Sequence, residues 1–473
     1  MKTIYLTILG LILLYSSAVY SQNIVFDISK YKLPDIKTSS LDFSMDLNHS
    51  MQRSDQYFSV QHKYSSRNFS GTFGSIFDHF RNTANYQGDQ YARITVSPTY
   101  RKSDNDGQLT ENNEFNIDSY LSSKNRFYNA TGGFIEVDPV LVYNYDDTYQ
   151  SYTSSLNKDR SADFSLSLPI SVGKGRIEPV EDARLAAYII EELTKHGKIT
   201  SQPSESKILE FASVISGIKR KRFFDSRERR IEELQTVDSF LVKNNIVSSG
   251  DIVYFTRLSD QWDYASGPAR NSGFLVNFGI NDAISLSKRI SDETYSFSHI
   301  VDTSRLNVFT VGVFGNMQYS KPLNLYWQSD LTMNLAYNYL ITKFPLKNSG
   351  NDFNLNELSP SLGYSIQYLP DSRTSVRLSL GTNYMYAFGK IKTYDYVSGD
   401  YVNGRASRNA FSPFMRFDMY YYLSPQLRLS MNWNFSNDLN SSKYKYEESN
   451  YNNDQKDRYL YNNFSLTLTY SLF

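Results

Sequence analysis

Cysteine is absent from the 473 residues, histidine occurs only five times, and the 49 Lys plus Arg are matched by 49 Asp plus Glu. No disulfide framework is possible, a structural zinc site lacks its usual ligands, and a neutral chain gives no electrostatic case for nucleic acid. None of His49, His62, His79, His196 and His299 stands in a metal-ligand spacing, so neither a metal nor a cofactor is expected. Phosphate-cradling loops are missing too: Gly173-Lys174-Gly175-Arg176 lacks the rest of such a motif and reads as a hinge. Beyond Gln22 no apolar run approaches the ~20 residues that a spanning helix needs. If this chain crosses a membrane it must do so with strands, because only helices and closed barrels satisfy every backbone group in lipid.

What is present fits that alternative. Met1-Lys2 precedes an apolar run from Ile4 to Val19, with Val19 and Ser21 suited to cleavage before Gln22, so residues 1–21 read as a signal peptide. The 39 Tyr and 30 Phe suit aromatic girdles at two membrane interfaces. Apolar residues alternate with polar ones over long stretches. Val376, Leu378, Leu380, Thr382, Tyr384, Tyr386 and Phe388 share one face, with Arg377, Ser379, Gly381, Asn383 and Met385 on the other. The same alternation runs through Leu331–Tyr339, Leu427–Phe435 and Asn463–Phe473. Short Pro-containing connections at residues 320–323, 370–372 and 424–426 alternate with long polar ones at 341–358, 390–410 and 439–458, the asymmetry of periplasmic turns and extracellular loops.

These features predict an all-β antiparallel transmembrane barrel of about 14 strands, in a range of about 12 to 16. Amino-terminal strands are expected within 22–172, near 39–49, 55–65, 90–101, 113–124, 132–145 and 160–172. Carboxy-terminal strands are expected within 273–473. Between them, residues 173–272 change to helical spacing: Val180, Ala183, Ala187, Ile190 and Leu193 open a set of four amphipathic helices, with Pro179 in the first turn. An even number of preceding strands puts this insertion on the side of the two termini, expected to be periplasmic, as a module at the barrel mouth or a plug.

The signal peptide, the aromatic-rich alternation and the final Tyr470-Ser471-Leu472-Phe473 resemble the outer-membrane β-barrels of Gram-negative bacteria, and the Asn, Tyr, Ser and Lys bias resembles barrels of the Bacteroidetes group. Phe473 departs from that pattern, standing one position out of phase with Phe464, Leu466, Leu468, Tyr470 and Leu472. The resemblance implies an outer-membrane location among lipid and lipopolysaccharide, with the barrel-assembly machinery as a partner, and carries no catalytic residue.

If the lipid faces are assigned correctly, Asp42, Asp46, Asp330, Arg377, Arg416, Asp418 and Arg428 point into the lumen, where they line a pore or brace it. Within the insertion, Lys219, Arg220, Lys221, Arg222, Arg227, Arg229 and Arg230 form the densest charge in the chain. They are a surface for a periplasmic protein or peptidoglycan, or a solvated face paired within the module. A channel or substrate-selective transporter is the leading expectation, a barrel anchoring a docking module the second, and a rim enzyme using His49 with Asp46, or His62 with Asp55, the third.

Overall fold

The computed structural model describes residues 26–57, 61–153, 155–219, 226–248, 250–264, 269–295, 297–344, 352–395, 400–424, 426–446 and 452–470. The expected signal peptide, the last three residues and the basic residues Arg220, Lys221 and Arg222 lie outside them.

Sixteen antiparallel strands form one sheet: β1 (Ile36–Tyr57), β2 (Gln61–Thr83), β3 (Tyr86–Asn105), β4 (Gln108–Tyr128), β5 (Gly133–Val137), β6 (Val140–Tyr152), β7 (Ser155–Ser167), β8 (Ile170–Pro179), β9 (Asn271–Tyr295), β10 (Ser298–Pro322), β11 (Trp327–Lys343), β12 (Asp352–Tyr368), β13 (Thr374–Asp395), β14 (Asp400–Tyr422), β15 (Leu427–Tyr446) and β16 (Asn452–Tyr470). β5 and β6 pair successive stretches of β4, and β7 and β8 pair successive stretches of β9. Each couple is therefore one interrupted strand, and the sheet has fourteen positions. Four helices stand between β8 and β9: α1 (Glu181–Lys195), α2 (Glu205–Lys219), α3 (Ser226–Lys243) and α4 (Ile252–Asp263). Among the described residues no helix is long and apolar enough to cross a membrane.

The ladders carry one parity through the whole sheet. Leu378 pairs with Ile366 and Phe417, Phe417 with Trp433, and Trp433 with Phe464, so the alternate apolar residues of successive strands share the outer face. Successive strand residues point to opposite faces, so this register also fixes what points inward. At the amino-terminal edge Leu41, Phe43, Met45 and Leu47 are 48–77 % exposed, and at the other edge Phe464, Leu466, Leu468 and Tyr470 are 60–61 % exposed.

Three boundaries differ from expectation. β1 continues to Tyr57, so residues 55–57 belong to it and β2 begins at Gln61. Gly71, Gly74 and Ser75 interleave with Phe69, Phe73 and Phe77 in β2 and dilute its alternation. The expected long polar loops are largely strand, since β11 to β16 run on as ladders of mostly polar side chains that backbone pairing sustains. Finally, Gly173–Arg176 is no hinge: β8 extends to Pro179, opposite Asn271, and the helical insertion starts after it. Gly175, at φ +96°, lies where β8 crosses Phe274, too close for a side chain.

Among the described residues no ladder joins β1 to β16. Alternation fixes the face of a strand but not its partner, and this one pairing is therefore not specified by it.

Candidate functional site at the short-turn end

The helices fold against each other and against an amino-terminal segment. α1 is buried almost all round, with Ala183, Leu185, Ala186, Ala187, Ile189, Ile190 and Leu193 at 0–3 % exposure, as befits a helix enclosed by other elements on every side. Ile208, Phe211 and Ile215 of α2, Val237 and Leu241 of α3 and Leu258 and Trp262 of α4 complete one core with Phe26, Ile28, Tyr31 and Leu33. Each such side chain contributes about 1.5–3 kcal/mol by burial. Asp251 caps α4 by accepting from the Tyr254 amide at 2.8 Å. Glu181 and Asp182 occupy the first turn of α1, where the helix dipole favours negative charge.

This bundle is strapped to the short turns of the barrel. Asn324 and Asp371 shape two of those turns, their side chains accepting from the Tyr326 and Trp327 amides and from the Arg373 and Thr374 amides at 2.7–2.9 Å. Into the first turn reaches Arg270, fully buried, donating to the Asn324, Leu325 and Trp327 carbonyls and to Gln328 Oε1. Burial brings this guanidinium down to about 9. Tyr188 of α1 donates to the Leu369 carbonyl at 2.6 Å, and burial pushes its phenol up to about 12. Tyr326 donates to Glu191 at 2.8 Å, Ser372 to Gln261 at 2.9 Å, and Arg373 pairs with Asp260 while lying 4.7 Å over the Tyr264 ring. Most of these contacts fall on turns and strand ends.

One side chain of the cap addresses the wall above it. Arg184 of α1 is 4 % exposed, and its Nε and Nη1 have no hydrogen-bond partner among the described residues. Its guanidinium lies 5.9 Å over the Tyr188 ring, and Arg184, Arg377 and Arg428 all act electrostatically on the Tyr420 hydroxyl. Arg377 and Arg428 each keep a buried, unpartnered Nε as well. Nearby carboxylates are engaged elsewhere. Asp418 accepts from Arg416 at 2.7 Å and from Asn432, Asp330 accepts from Gln328 at 2.9 Å, and Asp182 holds Lys219 at 2.8 Å. Burial raises the Glu181 carboxyl, and the positive charges of Lys219 and Arg184 act on it in the opposite sense. A buried N–H without an acceptor is costly, and Arg184, Arg377 and Arg428 keep such groups among the described residues, although Asp418 stands directly across the ladder from Arg377.

All seven expected inward charges fall in the inward phase of the register. Arg377, Arg416, Asp418 and Arg428 gather on β13–β15 with Asp330 close by on β11, whereas Asp42 and Asp46 stand exposed on the edge strand β1. The opposite wall is internally paired: Arg126 binds Glu136, which accepts from Asn277 at 3.2 Å, and Asn277 reaches Ser171 at 2.9 Å. Arg184, Arg270 and Tyr420 were not expected. A lone Arg on an amphipathic helix looks like any solvated charge, and only the inward phase of Tyr420 was open to reading.

In the basic cluster of the module, Lys219 pairs with Asp182, Arg229 with Glu233 at 2.7 Å, and Arg230 with Ser259 and Asp263. Arg227 lies in α3, with its side chain outside the described residues. His49 and Asp46 occupy opposite faces of β1, so they form no dyad, and the side chains of His62 and Asp55 are outside the described residues. Among the described residues no group of three or more His, Cys, Asp or Glu is placed to hold a metal.

No protein-family model and no curated protein matches the chain. Among solved structures it is similar to the translocator domain of the autotransporter NalP from Neisseria meningitidis, at 7 % identity over 81 % of this chain and 91 % of that one, TM-score 0.23. It is similar also to the ferric yersiniabactin uptake receptor FyuA from Yersinia pestis, at 6 % identity over 92 % and 72 %, TM-score 0.31. A third is OccK5 (OpdH) from Pseudomonas aeruginosa, at 8 % identity over 91 % and 98 %, TM-score 0.16. At these scores the likeness carries no functional weight.

Proposed function

We propose that this protein is an outer-membrane β-barrel that conducts anionic solutes, with the helical module gating its periplasmic mouth. The outward positions from Val376 to Phe388 cover about 30 Å along the membrane normal, at a rise of about 3.4 Å per residue and a tilt of about 40°, which matches a hydrocarbon layer. The observation that carries the choice of solute is that Arg184 of the module acts on the Tyr420 hydroxyl together with Arg377 and Arg428, all three keeping buried N–H groups without an acceptor among the described residues. An anion crossing the lumen supplies what those groups lack, and movement of the cap carries one of the three away. Lipid, lipopolysaccharide and the barrel-assembly machinery are the surroundings this reading requires, and no catalysis is assigned. Docking through the basic cluster is less favoured, because its described members Lys219, Arg229 and Arg230 are engaged within the module.

Planar-bilayer recording tests the reading. Pro179 and Asn271 already pair across β8 and β9, so a short Gly-Ser turn in place of residues 180–270 should leave a folded barrel with raised conductance and weaker anion selectivity. Arg184→Gln in the full chain should shift the reversal potential toward that of a non-selective pore. Conductance from neither full chain nor deletion refutes the channel; loss of a partner from pull-downs with unchanged conductance favours docking. A cysteine at Gln202, unique in this chain, should resist labelling by an impermeant reagent in intact cells.

A further inference from the structure

At the end of the sheet away from the module, three basic residues stand in one row on the outer face. Lys390 of β13 pairs directly with Arg405 of β14, and Arg405 pairs directly with Lys445 of β15. All three share the phase of Phe388, Phe411 and Leu439, the apolar side, and all three are exposed. Like charges directly across a ladder repel. The neighbouring carboxylates are engaged: Asp454 holds Lys443 at 3.2 Å and Asp352 holds Lys343 at 3.0 Å. No side-chain hydrogen bond or ion pair of Lys390, Arg405 or Lys445 occurs among the described residues. The row lines a cavity of about 600 Å³ together with Lys443, and the rings of Tyr339 and Phe388 form its lower wall.

The chemistry of this cavity is specific. Below it lies the aromatic margin of the apolar belt, Tyr337, Tyr339, Tyr384 and Phe388, and above it the same face continues through Lys392 and Asn403 to Tyr394 and Tyr401. A ligand must therefore bring concentrated negative charge at the level where hydrocarbon ends, and its apolar part must run down the outside of the strands. We propose that this cavity binds the phosphorylated headgroup of a membrane lipid in the leaflet at the long-strand end. Lys390, Arg405 and Lys445 hold the phosphate, and the acyl chains lie against Tyr339 and Phe388. The site rests on the membrane placement proposed above but not on conduction.

The test uses the full chain in detergent micelles, titrated with diphosphoryl lipid A, with enzymatically dephosphorylated lipid A, and with inorganic phosphate, bound lipid being counted by native mass spectrometry. Diphosphoryl lipid A should bind, and Lys390→Gln with Arg405→Gln and Lys445→Gln should weaken it about a hundredfold, each basic residue being worth roughly fivefold near an anionic surface. Lys321→Gln, an outward-phase basic residue at the opposite end, should change nothing. The single Arg405→Gln variant gives a graded loss if the triple variant does not fold. Equal binding of dephosphorylated lipid, or an unchanged triple variant, overturns the proposal. Saturable binding of inorganic phosphate that displaces the lipid without itself needing an acyl chain makes this a free-anion site and overturns it too. A folded barrel that retains lipid A but conducts nothing leaves the site standing and removes the channel.

Discussion

The two ends of this barrel are built on opposite terms. At the short-turn end the chain returns side chains from a separate helical module into the turns, and Arg270, Tyr188, Tyr326 and Arg373 each meet a matching group. At the other end the ladders of β11–β16 outrun the apolar belt, and ion pairs such as Lys443 with Asp454 stand 50–61 % exposed. Desolvated contacts are worth more and are less forgiving than solvated ones. The capped end therefore fixes geometry, while the long-strand end is free to carry charge for whatever lies outside.

The largest expected effect breaks the capped end. Arg270→Met strips the donors from the Asn324, Leu325 and Trp327 carbonyls, and docking of the module should weaken by about 3–5 kcal/mol. Protease cleavage within residues 181–263 at denaturant concentrations that spare the wild type would register it; equal resistance would mean the cap is held without that side chain. Next comes the belt between the two ends. Leu378→Arg should impair folding into bilayers by about 2–4 kcal/mol, whereas Ser379→Arg, one residue on and facing the lumen, should cost far less. Equal folding yields on heat-modifiability gels would reverse the assignment of the two faces.

Tyr188→Phe removes one hydrogen bond to Leu369 and should cost about 0.5–1.5 kcal/mol. Its pH dependence has a definite sign. The folded phenol titrates at about 12, above its ordinary 10, so the advantage of wild type over the variant is complete below about pH 10 and disappears as pH rises through about 12. A difference that stays constant across that range would take the proton out of the docking contact. The smallest effect belongs to the long-strand end, where Lys443→Ala should change stability by no more than about 0.5 kcal/mol in urea titration.

Much of this was legible in the chain, and the boundary of legibility has a physical cause. Leu378, Phe417 and Trp433 face outward as alternation demands, because lipid-facing positions must be apolar and the strand period of two carries that demand into the sequence. Ala183, Ala187, Ile190 and Leu193 disclosed α1 in the same way through the helical period. Where side chains are polar on both faces, as in residues 440–443, the ladder leaves no such trace and its extent could not be read. Pro179 was misplaced because proline suits the end of a strand as well as the start of a helix. Arg184 and Arg270 act through partners more than a hundred residues away in some cases, and no local pattern encodes that.

The edges of β1 and β16, which no ladder joins among the described residues, set a timetable. Every other pairing in the sheet joins strands next to each other in sequence, bridged by the compact helical module or, for β5 and β8, by the β6–β7 hairpin, so each can form as soon as its second strand exists. Joining residues 36–57 to residues 452–470 would bring together the two most distant strands, and its loop-closure entropy is the highest of any pairing in the molecule. Until that happens two rows of backbone N–H and C=O groups need hydrogen-bonding partners that hydrocarbon cannot supply. The slow step of maturation should therefore be ring closure, and whatever shields those two edges in the interval decides whether the chain enters a membrane or aggregates.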